Sequence, residues 1–120
     1  LLETGDAEKI VKAETELKYA LAREDDNPMG WRLLSQAYAS QGKEGEARLA
    51  SAEYWFALGQ AKQANEFALR ARDMLDRSSI EWRRATDIVL SSGASESDIL
   101  EAERRNERRR SQQVLPPNGA

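Results

Sequence analysis

The residues placed to do chemistry in this chain are Asp25 and Asp26, two adjacent carboxylates in a short polar run that ends at Asn27. Side by side they could hold a cation or share a proton. There is little to help them. The sequence contains no histidine and no cysteine, so zinc, haem and catalytic-triad chemistry lack their usual ligands and bases. Adjacent acids just before a helix commonly serve the turn and the helix dipole, and that is how this pair reads. Gly42-Lys43-Glu44-Gly45 lacks the spacing of a phosphate-binding loop. No catalytic, metal or cofactor-binding residue is therefore assigned, and the chain by itself reads as no enzyme.

Two further clusters have a functional and a structural reading. Arg104, Arg105, Arg108, Arg109 and Arg110 could engage anionic lipid or nucleic acid, but Glu101, Glu103 and Glu107 interleave with them. A run of mixed sign reads as a solvated helix. Tyr54-Trp55-Phe56 could be an exposed partner site. Three consecutive residues cannot share one helix face, so the favoured reading packs Tyr54 and Trp55 into flanking hairpins and exposes the remaining aromatic.

The elements around these residues are helical. Ala, Leu, Glu and Arg dominate, and Pro and β-branched residues are few. The expected helices span about Asp6–Arg23, Pro28–Gln41, Glu44–Leu58, Ala61–Leu75, a fifth opened by a capping box from Ser78 to Glu81 and stopping near Gly93, and a charged sixth opened by a box from Ser95 to Asp98 and running to about Ser111. Asn27 is the expected N-cap ahead of Pro28, and Gly42 and Gly59 the expected C-terminal stops. The apolar stripes are Ala13, Leu17, Ala20 and Leu21; then Trp31, Leu34, Ala37 and Tyr38; then Ala61, Ala64, Phe67, Ala68, Ala71, Met74 and Leu75. The third helix is apolar on more than one face and needs neighbours on both sides. Val114 to Ala120 is expected to be disordered.

The net charge of −3 is unevenly spread: −4 over residues 1–26, +1 over 27–93 and zero over 94–120. No basic stripe marks a nucleic-acid binder, and no segment approaches the roughly 20 apolar residues of a membrane helix. The lack of cysteine fits cytoplasm and periplasm equally. The chain starts at Leu1 without a methionine or a signal-peptide pattern and reads as part of something longer.

The spacing of the punctuation sets the class. Gly42, Gly59 and Gly93 are separated by 17 and 34 residues, and Trp31 and Trp82 by 51, or three times 17. A 34-residue period of two helical halves marks stacked hairpins of the tetratricopeptide (TPR) type, which bind proteins. Trp31, Leu34, Ser35, Tyr38, Gly42 and Ala47 follow the pattern, as do Gly59, Ala64, Ala68 and Ala71. Asp25 and Asp76 stand where the pattern has proline, and Ser51 and Tyr54 where it prefers apolar and small residues. The expected fold is all-α: a TPR-like α-α superhelix of antiparallel hairpins, about five packed helices over residues 1–94, with a charged helix and tail over 95–120.

A closer resemblance rests on Asn27-Pro28, Trp31-Arg32-Leu33-Leu34, Ala37-Tyr38, Gln41-Gly42-Lys43-Glu44-Gly45, Ala52-Glu53-Tyr54, Leu58-Gly59, Ala68 and Ala71. Together these resemble the C-terminal TPR region of bacterial periplasmic zinc metalloproteases. The resemblance implies a periplasmic parent enzyme whose HExxH zinc site lies upstream of Leu1. It also implies a role in outer-membrane protein assembly and quality control, and partners that are substrate chains or the assembly machinery. The other reading is a free-standing TPR scaffold that binds peptides or self-associates through its exposed ends.

A TPR stack binds along its concave face, lined by the first helix of each hairpin. In the second helix the outward neighbours of the seam are Met29, Arg32, Gln36 and Ser40. Arg32 and Gln36, at i and i+4, could together grip a peptide backbone or carboxylate. These four are the candidate partner-binding residues; the other reading has Arg32 and Gln36 as ordinary surface residues.

Overall fold

The computed structural model describes residues 4–93 and 96–113. Six helices follow one another: α1 (Thr4–Arg23), α2 (Pro28–Ser40), α3 (Glu44–Ala57), α4 (Ala61–Met74), α5 (Ile80–Ser91) and α6 (Glu96–Gln113). The chain is all-helical, with no strand among the described residues. Val114–Ala120 and Ser95, the first residue of the expected sixth-helix box, lie outside them.

Local chemistry sets most boundaries. The Asn27 side chain accepts from the Gly30 N–H at 3.3 Å, and Pro28 fills the first turn of α2, where no N–H is needed. Gly42, Gly59 and Gly93 carry positive φ of 75°, 75° and 92°. At the first two, the same pair of bonds closes the helix. The Gly42 and Lys43 N–H groups reach Ala39 and Tyr38 carbonyls, and the Gly59 and Gln60 N–H groups reach those of Phe56 and Trp55. Each is a Schellman motif, and the two recur 17 residues apart. Gly59→Ala is expected to cost about 1 kcal/mol through φ alone, because a Cβ there meets nothing within 4 Å. The urea midpoint checks this.

Most boundaries fall within one or two residues of the sequence reading, and one cap differs. The N-cap of α5 is Ser79, whose Oγ accepts from the Trp82 N–H at 3.1 Å. Ser78 instead gives its N–H and hydroxyl to Asp76 Oδ1 at 2.8 and 2.7 Å. Asp76 draws the first serine into a turn, so the second caps the helix. Those bonds hold the exposed Asp76 carboxyl below its ordinary range.

From α1 to α5 each helix packs on the next, α3 also meets α5, and α6 lies against α4. The core has two centres. Ala52 of α3, Ala64 and Ala68 of α4, and Ile88 and Val89 of α5 are all at zero exposure, with Leu49, Trp55, Phe67 and Leu69 around them. Alanine at facing positions lets helices approach closely. The second centre joins Leu21, Leu34 and Ala50, flanked by Leu17, Trp31 and Tyr38. The broad apolar surface of α3 is explained by its position, because it packs on α2, α4 and α5. Ser51, an exception to the repeat pattern, meets Ser35 Oγ at 2.8 Å across the α2–α3 seam, and Ser35 also reaches the Ala47 carbonyl. Tyr54 and Trp55 are half-buried and stack edge-on at 5.1 Å, leaving Phe56 exposed. Met74, on the expected α4 stripe, is 52% exposed, since α4 ends there.

Helix α6 is tied to α4 mostly by charge. Arg72 donates to Glu103 at 2.9 Å and to Thr86 of α5 at 2.8 Å, with its guanidinium 4.5 Å from the Trp82 ring centre. Arg110 pairs with Asp73.

Candidate functional site

A cleft of about 340 Å³ opens between α1, α2, α3 and α5. Its floor is the second core centre seen from outside. Leu21, Leu34 and Ala50 are buried there, and Trp31 and Tyr38 stand half-buried beside them. The turn after α1 fixes Trp31, whose indole N–H donates to the Asp25 carbonyl at 2.6 Å. Burial, together with the negative charge of nearby Glu14, pushes the Tyr38 phenol up to about 12, so the ring stays neutral. Ile80 at the start of α5 lies on the rim, 80% exposed.

The polar part of this cleft is ordered by one ion pair. Arg84 of α5 grips Glu53 of α3 with two bonds, Nε to Oε2 at 2.8 Å and Nη2 to Oε1 at 2.6 Å. Those bonds hold the Arg84 guanidinium above its ordinary value despite partial burial. Asp25, Glu46 and Glu81 also line the cleft, and none of them is in an ion pair among the described residues. Lys18 is shared with Glu14 at 3.5 Å. The result is an apolar floor, one neutralised pair and three unpaired acids.

The four residues expected from sequence lie elsewhere on α2. Arg32 and Gln36 line one shallow cleft, of about 380 Å³, with Ser35, Ser51, Tyr54 and Trp55. Met29, 56% exposed, and Ser40, whose hydroxyl donates to the Gln36 carbonyl at 2.9 Å, stand on the same helix but outside that cleft. The structure thus joins two of the four. The apolar cleft was missed because Trp31, Leu34 and Tyr38 read as core, and only the spatial gap between α1 and α5 shows that their outer edges are open.

A second buried acid was also missed. Glu14 of α1 accepts from Gln41 Nε2 at 2.8 Å and from Lys43 at 3.2 Å, tying α1 to the α2–α3 turn. Burial raises its carboxyl, but these bonds and the Lys43 and Lys18 charges outweigh that and hold it below its ordinary value. A lowered folded pKa means stability present above the unfolded value and lost as pH falls through the folded one. Urea midpoints are expected to fall as pH drops below about 4.5, and to fall less in Glu14→Gln. Parallel pH curves for the two proteins would remove this role.

Asp25 and Asp26 form a turn between α1 and α2. Among the described residues, no group of three or more acidic, histidine or cysteine side chains is placed to hold a metal, and no helix is long and apolar enough to cross a membrane. Compared with protein-family models, curated proteins and solved structures, the chain matches none.

Proposed function

We propose that this chain is a non-catalytic protein-interaction region of the TPR type. In this reading the cleft between α1, α2, α3 and α5 takes an apolar segment of a partner protein bordered by lysine or arginine. The observation that carries the proposal is the chemistry of that cleft: an open apolar floor with an exposed Ile80, rimmed by Asp25, Glu46 and Glu81. Pockets lined mostly by apolar groups with a few placed polar ones are where proteins take ligands, and rim charge selects the sign of the partner. The 17-residue recurrence of the closing turns at Gly42 and Gly59 supports the repeat class.

The resemblance to the C-terminal region of periplasmic zinc metalloproteases extends the proposal. The chain would then present substrates or assembly partners to a catalytic domain upstream, and any zinc would sit there. Upstream sequence separates this from a free-standing scaffold: the enzyme reading needs both a secretion signal and an HExxH helix before Leu1.

The cleft is tested with a synthetic amphipathic peptide carrying a Leu/Phe stripe bordered by lysines, measured by calorimetry. Ile80→Lys touches little else, and is expected to weaken binding about tenfold or more by removing apolar contact and adding a like charge. Arg32→Ala with Gln36→Ala serves as the comparison. Binding lost in that pair and kept in Ile80→Lys would move the site to the opposite face of α2.

A further inference from the structure

Beyond the cleft proposed for partner binding, a different face gathers arginines from three helices. Arg48 of α3, Arg70 of α4, and Arg105 and Arg109 of α6 line one cleft of about 390 Å³. The acids lining it are Glu66 and Asp73, and Asp73 is already paired with Arg110. None of the four arginines is in an ion pair among the described residues. In a chain whose net charge is −3, four guanidinium groups around one hollow, with Glu66 the acid left to offset them, are a local excess that raises each other's energy.

The independent sign is Arg48. Its Nε is buried and has no hydrogen-bond partner. A buried N–H without an acceptor is costly, and in native proteins such groups are the exception. An oxyanion arriving in the cleft would relieve the mutual repulsion; the Nε has no surface open to it as the side chain stands, so a new acceptor reaches it only if Arg48, partly buried as a residue, turns toward the cleft. Guanidinium forks match carboxylate and phosphate with two bonds each, and a phosphate, with its greater charge and three acceptor oxygens, is the one that several arginines can share. The residues also explain why the sequence concealed the site. The arginines of α6 read as a solvated run, and their companions Arg48 and Arg70 are supplied from tens of residues upstream.

We infer that the α3–α4–α6 cleft is a binding site for a phosphate-type oxyanion, held by Arg48, Arg70, Arg105 and Arg109. Because two of the arginines come from α6 and two from the body of the fold, the bound anion also ties α6 to α3 and α4.

Inorganic phosphate and pyrophosphate are titrated into the whole chain by calorimetry and by thermal unfolding, against chloride at matched ionic strength. Saturable binding and a raised midpoint are expected, stronger for pyrophosphate and weaker at high salt. Arg70→Gln and Arg109→Gln alter exposed side chains, and each is expected to weaken binding roughly tenfold. Arg104→Gln, on α6 but outside the cleft, is expected to leave binding unchanged. Limited proteolysis within α6 should slow on adding pyrophosphate, and should not slow in Arg109→Gln. A phosphoserine peptide and its unphosphorylated form distinguish sources: tighter binding than inorganic phosphate means the group arrives on a protein, weaker binding means a free phosphate compound. Equal effects of phosphate and chloride, or loss in Arg104→Gln as large as in Arg109→Gln, overturn the site.

Discussion

Ile88→Ala is expected to remove about 3–4 kcal/mol of stability, and Ile88→Val about 1 kcal/mol. Ile88 has zero exposure, and its buried neighbours are Ala52, Ala64, Ala68 and Val89. These short side chains sit on helices already in close contact and cannot swing into the space a lost side chain leaves. The cost therefore belongs in the upper part of the range for such truncations, where the residual cavity is large. Against a typical total of about 5–15 kcal/mol for a domain, this approaches the limit of folding. The melting midpoint is expected to fall on the order of 15 °C. Overfilling the same place should also destabilise: Ala68→Leu forces α4 away from its neighbours, at about 1–3 kcal/mol. A loss under 1 kcal/mol for Ile88→Ala would mean that α5 does not close this core.

The parts of the fold that sequence exposes are those decided by neighbouring residues. Gly42, Gly59 and Gly93 end helices because each needs a backbone that other residues resist, and Asn27-Pro28 starts one through bonds made within three residues. Alanine stripes mark the faces that approach closely. What sequence conceals is decided at a distance. Glu14 and Glu53 look like surface acids, yet both are buried, with partners 27 to 31 residues away. Nothing local to either announces it. Ser78 and Ser79 are a local exception: they are equivalent as letters, and the turn made by Asp76, two residues before the first, picks the second as the cap. The same limit applies to binding surfaces. Arg32 and Gln36 share a cleft because i, i+4 spacing is local. The apolar cleft needs four helices, and whether Trp31 is core or wall depends on where α5 stops short of α1.

Breaking the Glu53–Arg84 pair is expected to give unequal losses from its two sides. The Glu53 side chain is 9% exposed and that of Arg84 is 42%. With Arg84→Met, the carboxylate stays in a place where water reaches it poorly and its two bonds are gone. Removing one partner of a fully buried pair costs about 3–5 kcal/mol; the partial exposure of Arg84 admits some water, so about 2–3 kcal/mol is expected. With Glu53→Gln, the guanidinium can turn toward solvent and the amide keeps some bonding, so about 1 kcal/mol is expected. Glu53→Met with Arg84→Met leaves neither charge stranded and is expected to lie near the native stability. Affinity for the lysine-bordered peptide should reverse the order of the two single variants, with the double variant between them. Arg84→Met adds an unneutralised carboxylate beside Asp25, Glu46 and Glu81 and should tighten binding, while Glu53→Gln frees a cation in the cleft and should weaken it. Chemical unfolding and calorimetry on the same three variants read both orders. Stability loss that tracks affinity loss variant by variant would show that the pair serves the fold alone and that the cleft does not select a basic partner.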